Sequence, residues 1–545
     1  MNPGRRARRL LACGVLLVAA AVPAWTKGPA SAAKVGEHIF RDGVLADGAP
    51  LRGHREGGPE VLGKDAACVN CHGRSGMGVV EGRIVIPPIT AAALFHPGER
   101  LAPSAEHVHV LPTPPNRNAY TDETLARAIR EGVNADGRTL DYAMPRYALD
   151  DASMQAVVAQ LHQLSTGRTP GAVNDELNFA TIITPDADPL ARDAMLAVLR
   201  EFFAQKNDFS RDDKAFITSG SVQRRFRVQR RWILHEWRLT GSPESWGRQL
   251  DQKLRTEPIF AVISGIGGAN WAPVHEFCEH RAIPCLFPNV DLPVAAEGDF
   301  YPVYFSRGVL LEADLIAARL ATREARPARV VQVFRKGDIG ASAAIGLRSA
   351  LEAGGVPVVD RALSPGDDDR ALGSAAQTQA GDALVLWLRG NDLARLPPAA
   401  PAAASVLVSG LMGGEEAAPM PAAWREAMYM PYVYALPEER RVLLNFALGW
   451  FRARHIPVVN ERVQVDTYIA CSILAENLIA THGTFLRDFL VERVEAMIGT
   501  DMFRGNYKRL GLAPGQRFAS KGGYFVRFTA PQGPAIAPDG NWMVP

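Results

Sequence analysis

The sequence predicts a multidomain chain in which a small all-α domain precedes a bilobed α/β domain. Three observations carry this prediction. Helical apolar spacing runs through residues 34–166, on both sides of a long Pro- and Gly-rich connection; from about residue 175 apolar runs alternate with helical segments; and that alternation restarts near residue 330. Repeated β-α-β order requires a parallel sheet covered by helices. Two successive runs of it imply two lobes with a cleft. At 545 residues the chain exceeds one ordinary domain. The expected divisions are a signal peptide at 1–32, an all-α domain at 34–166, a linker at 167–174 and an α/β domain at 175–545.

The N-terminus opens on the basic run Arg5-Arg6-Ala7-Arg8-Arg9, continues through apolar Leu10 to Val22, and reaches small residues around Ala30-Ser31-Ala32. That order of charge, apolar core and small residues predicts a secretory signal, and the apolar run is short for a transmembrane helix. No later stretch is long and apolar enough to span a bilayer. The expected address is therefore the periplasm. Net charge is +2, with basic residues dispersed apart from Arg224-Arg225 and Arg230-Arg231, so nucleic acid is not expected as a partner.

In the first domain, Gly36, Ile39, Phe40 and Gly43 suit a helix whose glycines allow close approach by another helix. Cys68-Val69-Asn70-Cys71-His72 follows. Two thiols two residues apart and a histidine directly after them form the attachment pattern of a c-type haem, with the cysteines adding to the vinyl groups and the imidazole coordinating iron. A redox dithiol would sit in an α/β setting, and a zinc site needs a second Cys/His pair nearby. Neither is present. The connection Gly73 to Asn118 cannot be one regular element. Thr121 is placed as an N-cap, with Leu125, Ala128 and Ile129 on the apolar face of a helix ending near Gly132. Asp150 or Asp151 starts a second helix bearing Met154, Val157, Val158, Leu161 and Leu164.

These residues resemble a class I cytochrome c domain, through the Gly36/Phe40 helix, CVNCH at 68–72, the segment Gly137-Arg138 to Met144-Pro145 and the closing helix with Leu161. The resemblance implies one covalently attached haem c, with His72 as proximal and Met144 as distal iron ligand. A thioether favours ferrous iron and raises the potential. Met77, His96, His107 and His109 are rival distal ligands, and an ordinary core methionine is the competing reading of Met144. The long span from the motif to Met144 keeps these alternatives open.

In the second half, strands are expected at Leu177 to Thr184, Trp232 to Leu239, Pro258 to Ser264, Ile283 to Phe287, Val330 to Phe334, Val356 to Val359, Ala383 to Leu388 and Ser405 to Ser409. Helices are expected through Met195 and Phe203, at Ser245 to Leu254, up to about His280, at Ala341 to Ala353, Glu438 to Ala453 and Asp466 to His482. Cys278 and Cys285 flank a helix-to-strand connection, where an oxidising compartment favours a disulfide over two buried thiols. Cys471 reads as a core residue.

This half resembles type I periplasmic solute-binding proteins, the branched-chain amino acid receptor group. The matching stretches are Phe260 to Asn270 with Ile283-Pro284, Gly337-Asp338-Ile339-Gly340, Asp466-Thr467-Tyr468, and Gly515-Gln516-Arg517 before Tyr524-Phe525-Val526. In that family the loop after the third strand presents backbone amides to an anionic ligand group, and a helix N-terminus has the unpaired N–H groups to do so. Ser264, Gly267, Gly268, Ala269 and Asn270 are thus candidate ligand contacts; the competing reading is that the glycines serve a tight turn. Gly337-Asp338-Ile339-Gly340 lacks an aromatic residue, which argues against amino-acid binding. Arg307, Asp338 and Arg389 read first as structural charges.

The expected function is single-electron transfer by a periplasmic monohaem cytochrome whose fused domain binds a small molecule or a partner. The resemblance implies a periplasmic redox partner, with a quinoprotein dehydrogenase among the candidates. The alternative is a solute receptor of a transport or sensing system with haem as redox or gas sensor. An enzyme is not expected, because a di-haem peroxidase needs two attachment motifs and only one CxxCH is present.

Overall fold

The computed structural model describes residues 29–545 apart from 82–83, 99–115, 174, 213–229, 295, 297, 323–325, 482 and 501–502. Most of the expected signal sequence, and all of His107, His109 and Arg224-Arg225, lie outside the described residues. The chain divides into two compact units, one of Met1–Asn70, Thr90–Glu99 and Asn116–Leu164, the other of Cys71–Ile89, Arg100–Pro115 and Ser165–Pro545. No helix among the described residues is long and apolar enough to cross a membrane.

The first unit is built on the helices Pro29–Asp42 and Asp151–Gln163. They cross where Gly36 removes a side chain: a Cβ there would lie 2.0 Å from the Ala156 carbonyl oxygen. Ile39 and Phe40 are buried beside this crossing. The helix Asp122–Glu131 begins at Thr121, whose side chain accepts from the Thr124 N–H in a reciprocal box, and ends at Gly132 with φ 71°. Asp150 caps the last helix by accepting from the Ser153 N–H. The structure corrects the all-α expectation for residues 34–166, where the hairpin Val79–Glu81/Ile84–Ile86 and a second small sheet form. Arg52–His54 pairs antiparallel with both Glu60–Leu62 and Arg146–Tyr147, forming a small sheet.

The second unit contains two sheets. In the first, Pro302–Val303, Cys285–Leu286, Ala261–Ile263, Glu176–Ile183 and Arg231–Arg238 run parallel in that order, and Ala172–Val173 adds an antiparallel hairpin to Glu176–Ile183. The second runs Val358–Leu363, Arg329–Arg335, Asp382–Trp387, Ser405–Val408 and Met428–Tyr432, all parallel, then Tyr524–Phe528 and Ile536–Pro538 antiparallel. Asp382–Trp387 is buried along its whole length, as expected of a parallel strand covered on both faces. The region expected as one helix from Glu438 to Ala453 is two, Pro437–Leu443 and Asn445–Ala453. The late helix starts at Glu461, capped by Asn460, so Asp466 lies inside it.

Adding a methyl group at the helix crossing forces backbone apart. Gly36→Ala should cost about 1–3 kcal/mol of stability, read as a lower urea midpoint for the first unit. In the second unit Glu312 is fully buried, accepting from the Ser409 hydroxyl and, at 2.9 Å, from the Leu411 N–H. Burial pushes its carboxyl from 4.5 up to about 8. The unfolded chain therefore loses this proton first, so the contribution is full below about 4.5 and is lost as pH rises through about 8. Glu312→Gln should flatten the fall in unfolding free energy over that window, measured by urea titrations across pH.

Candidate functional site

The one-turn helix Val69–His72 follows a tight turn at Gly63–Ala66, and it sets Cys68, Cys71 and His72 within one short segment of backbone. His72 is 7% exposed, and its Nδ1 lies 3.1 Å from the Pro87 carbonyl oxygen, to which an Nδ1–H donates. Burial lowers the imidazole pKa to about 4, with the Pro87 bond opposing. The ring is thus neutral at ordinary pH, in the tautomer that leaves Nε2 as the basic nitrogen. That is the form in which imidazole ligates a metal, and a carbonyl on the opposite nitrogen is the usual means of fixing it. Two thiols and this ring fit a covalently attached haem.

The loop after His72 returns through the hairpin Val79–Glu81 and Ile84–Ile86. Ser75 anchors it: its N–H and Oγ donate to the two carboxylate oxygens of Glu492 at 3.0 and 2.5 Å, and its carbonyl accepts from the Ser165 hydroxyl at 2.7 Å. Burial raises the Glu492 carboxyl to about 7.

Met144 stands half-buried on a separate loop. That loop hangs from Gly132, whose carbonyl accepts from the Leu140 N–H at 2.7 Å. The Arg146 guanidinium lies over Gly132 and donates to the carbonyls of Met144 and Leu140. The glycine is required for its φ of 71°, and a Cβ there would also push the guanidinium aside. The Tyr147 hydroxyl donates to the Ala66 carbonyl at 3.0 Å, joining the chain that leaves Met144 to the chain that enters Cys68. Of the rivals, His96 is exposed and Met77 donates its N–H to Ser75 Oγ at 3.1 Å. Sequence reasoning missed Arg146 and Pro87. Arg146 directly after Met144-Pro145 was a usable signal, whereas Pro87 gave none.

In the second unit the expected ligand loop is used internally. Asp186 accepts from the Gly268 and Ala269 N–H groups at 3.3 and 2.8 Å. Asn270 Oδ1 accepts from the Ala272 N–H at 3.2 Å, and the Gly267 N–H reaches the Asn289 carbonyl at 3.4 Å. Ser264 is fully buried and bonded to Thr467 and Asn289. The chain's own carboxylate occupies the anion position expected of a ligand. This corrects the expectation for Gly268 and Ala269, and the signal, Asp186 about eighty residues upstream, has no local pattern.

A small pocket opens instead beside Asn289, Asp291, Tyr434, Arg462, Asp466 and Tyr507. It lies beyond the carboxyl ends of Cys285–Leu286 and Met428–Tyr432, where open α/β sheets place ligands. Arg462 and Asp466, four apart on the helix Glu461–Ala480, share one face. Arg462 donates to Asp291 at 2.9 and 3.5 Å. Burial opposes its charge, but Asp291, Tyr434, Glu415 and Asp466 raise its pKa well above the ordinary value. Asp466 accepts from Asn506 Nδ2 at 2.9 Å and from the Tyr507 hydroxyl at 3.2 Å, and burial raises it to about 6. Arg389 pairs with Asp338 and Arg307 with Asp314, as structural charges.

Cys278 and Cys285 are buried thiols, unbridged, where a disulfide is expected. Burial and the hydrogen bond to Cys285 push the Cys278 thiol well up, and burial does the same to Cys471. Thiol titration of the haem-loaded protein freed of its leader should find none reactive when native and three, Cys278, Cys285 and Cys471, when denatured. A count of one would reveal a Cys278–Cys285 bond.

Residues 58–165 match the cytochrome c family. The chain thus carries a cytochrome c domain over those residues. Solved structures to which the chain is similar include a fatty acid ABC transporter substrate-binding protein from Thermomonospora curvata, 14% identical, covering 70% of this chain and 95% of that one with a TM-score of 0.48. A substrate-binding periplasmic protein from Ralstonia solanacearum is 13% identical, covering 67% and 100% with a TM-score of 0.49. A leucine-binding protein from Thermotoga maritima is 12% identical, covering 68% and 99% with a TM-score of 0.46. No curated protein matches the chain.

Proposed function

We propose that this chain is an exported, periplasmic c-type cytochrome with one haem, which passes single electrons to or from a periplasmic redox partner while its α/β domain binds a small solute. The observation that carries the reading is the buried, neutral His72 held by the Pro87 carbonyl at 3.1 Å directly after Cys68 and Cys71. Cys68 and Cys71 would hold the haem through thioether bonds. When bound, the haem supplies a ferric/ferrous couple.

The protein's own residues do the rest. His72 is kept neutral and oriented, so ligation needs no proton loss or ring rotation. Met144 would be a second protein ligand to the haem iron, on a loop that Arg146 grips by its carbonyls. Two protein ligands would limit rearrangement between oxidation states and leave no ligand position for exogenous molecules, which suits electron transfer better than catalysis. A quinoprotein dehydrogenase is a candidate donor by resemblance. The pocket beside Asp466 favours a second reading, a solute receptor in which the haem senses redox state or a gas, and the same spectra separate the two.

Ferric wild-type protein should be low-spin, show the weak long-wavelength band of a thioether-ligated iron, and resist cyanide. Met144→Ala should abolish the band and admit cyanide, while leaving the covalent haem in place on a denaturing gel. High-spin wild-type iron that binds carbon monoxide readily would overturn Met144 ligation and move sensing ahead of electron transfer.

A further inference from the structure

We infer that Glu492 is a positioning residue for the haem ligand His72: its carboxylate fixes the loop that follows His72, and through that loop the Pro87 carbonyl that orients the imidazole. The inference rests on the electron-transfer reading above and names what tunes that same site. Glu492 lies on the helix Arg487–Met497, 417 residues beyond Ser75 and outside the residues that match the cytochrome c family, yet in the same compact unit as the segment Cys71–Ile89. Both of its oxygens are used. Oε1 accepts from the Ser75 N–H at 3.0 Å and Oε2 from the Ser75 hydroxyl at 2.5 Å, and the Arg74 N–H bonds the same carboxylate.

Successive backbone amides around a residue in the left-handed region form a nest for an anion. Gly73, at φ 72°, supplies that turn, and a Cβ on it would lie 2.7 Å from Glu492 Oε1. The anion is a side chain of the protein itself. Ser75 is 2% exposed, so removing the carboxylate strips two buried donors of their acceptor. The Arg74 guanidinium lies over the Phe300 ring, 4.2 Å from its centroid, and Asp488, one turn before Glu492, accepts from the Tyr301 hydroxyl at 2.6 Å and adds like charge. Glu492 is thus held to this loop by backbone and hydroxyl donors.

Further contacts carry the constraint to His72. The Ser75 hydroxyl oxygen accepts from the Met77 N–H at 3.1 Å, the Ser75 carbonyl from the Ser165 hydroxyl at 2.7 Å, and the Gly76 carbonyl from the Ile89 N–H at 2.7 Å. Gly78 closes the path. Its N–H donates to the His72 carbonyl at 3.0 Å, while a Cβ on it would lie 2.8 Å from the Pro87 carbonyl oxygen. That oxygen is the acceptor for His72 Nδ1 at 3.1 Å. The hydrogen bond on the outer nitrogen sets the basicity of the nitrogen left for a metal. A looser loop weakens that bond, makes the ring a poorer donor and favours the ferrous side of the couple.

The test uses full-length, haem-loaded protein as wild type, Glu492→Gln, Glu492→Ala and Ser75→Ala, at fixed pH and ionic strength. Two quantities are followed, the ferrous-to-ferric ratio at one applied potential and, by proton NMR of the ferrous form, exchange of the His72 ring N–H with solvent. Glu492→Ala should raise the ratio at least about threefold and speed the exchange at least about tenfold. Glu492→Gln, whose amide oxygen still accepts from the Ser75 N–H, should lie nearer wild type in both. Ser75→Ala should shift both in the same direction, and joined with Glu492→Ala it should add less than the sum of the two. Equal shifts in Glu492→Gln and Glu492→Ala would show that charge alone matters and would overturn the positioning role. An unchanged ratio and exchange in Glu492→Ala would overturn it as well and leave the electron-transfer reading intact. Where Glu492→Ala fails to fold by far-UV circular dichroism, Ser75→Ala decides, and wild-type values there overturn the inference. A wild type without a reversible one-electron couple would remove the electron-transfer reading and this inference together.

Discussion

The orientation of one imidazole is the constraint on which the first half of the chain depends. A histidine that ligates iron must be neutral, dry and turned the right way, and each condition has a visible cause at His72. Burial removes its proton, and the Pro87 carbonyl fixes its tautomer. That carbonyl lies fifteen residues on, so the chain must turn back sharply after the motif. It does so through the hairpin at Val79–Glu81 and Ile84–Ile86, with the Gly78 N–H donating to the His72 carbonyl at 3.0 Å and the Ile89 N–H to the Gly76 carbonyl at 2.7 Å. Gly73 is required by close approach, since a Cβ there would lie 2.7 Å from the Glu492 carboxylate. The irregularity of this stretch follows from the ring it must hold.

In the α/β domain several carboxylates are matched by arginines of the same domain. Arg329 meets Asp382, Arg335 meets Asp392 and Arg389 meets Asp338, each with two guanidinium nitrogens on the carboxylate. Such forked pairs add geometric specificity, and they hold strand ends and helix starts of the second sheet in register. Asp466 and Asn289 stand out against this background. Both are nearly inaccessible and both belong to the wall of one pocket; Asp466 is held by Asn506, Tyr507 and the charge of Arg462, whereas Asn289 Oδ1 accepts no hydrogen bond.

How much of this was legible in the sequence depends on the range of the interaction. Local chemistry was readable. Thr121, Gly132 and Asp150 stand at the helix boundaries expected of them, and strands such as Glu176–Ile183 and Asp382–Trp387 fall within a residue of their expected ends. The Gly36 contact was readable because a glycine on the apolar face of a helix gives up helix stability, and close approach by a second backbone is what offsets that loss. What could not be read was contact between distant segments. The small sheet through Arg146–Tyr147 rests on pairings as short as two residues, too brief for an alternating pattern. The break at Leu444 has no proline or glycine to announce it. The glycine loop was chemically suited to an anion, and it does hold one, but the anion is Asp186 of the same chain. The pocket unites Asn289 with Tyr434, Arg462 and Tyr507 from segments far apart along the chain, and no sequence periodicity spans that distance.

One consequence joins the two functions thermodynamically. The segment Cys71–Ile89, which carries His72, belongs to the same compact unit as the pocket. Ser75 bonds Glu492 on the helix Arg487–Met497, and that helix packs on Glu461–Ala480, the helix that supplies Arg462 and Asp466. A solute that binds only the folded form stabilises the unit by mass action, by about 2.7 kcal/mol at a hundredfold excess over its dissociation constant. Where the unit unfolds cooperatively, that stabilisation extends to the segment holding His72.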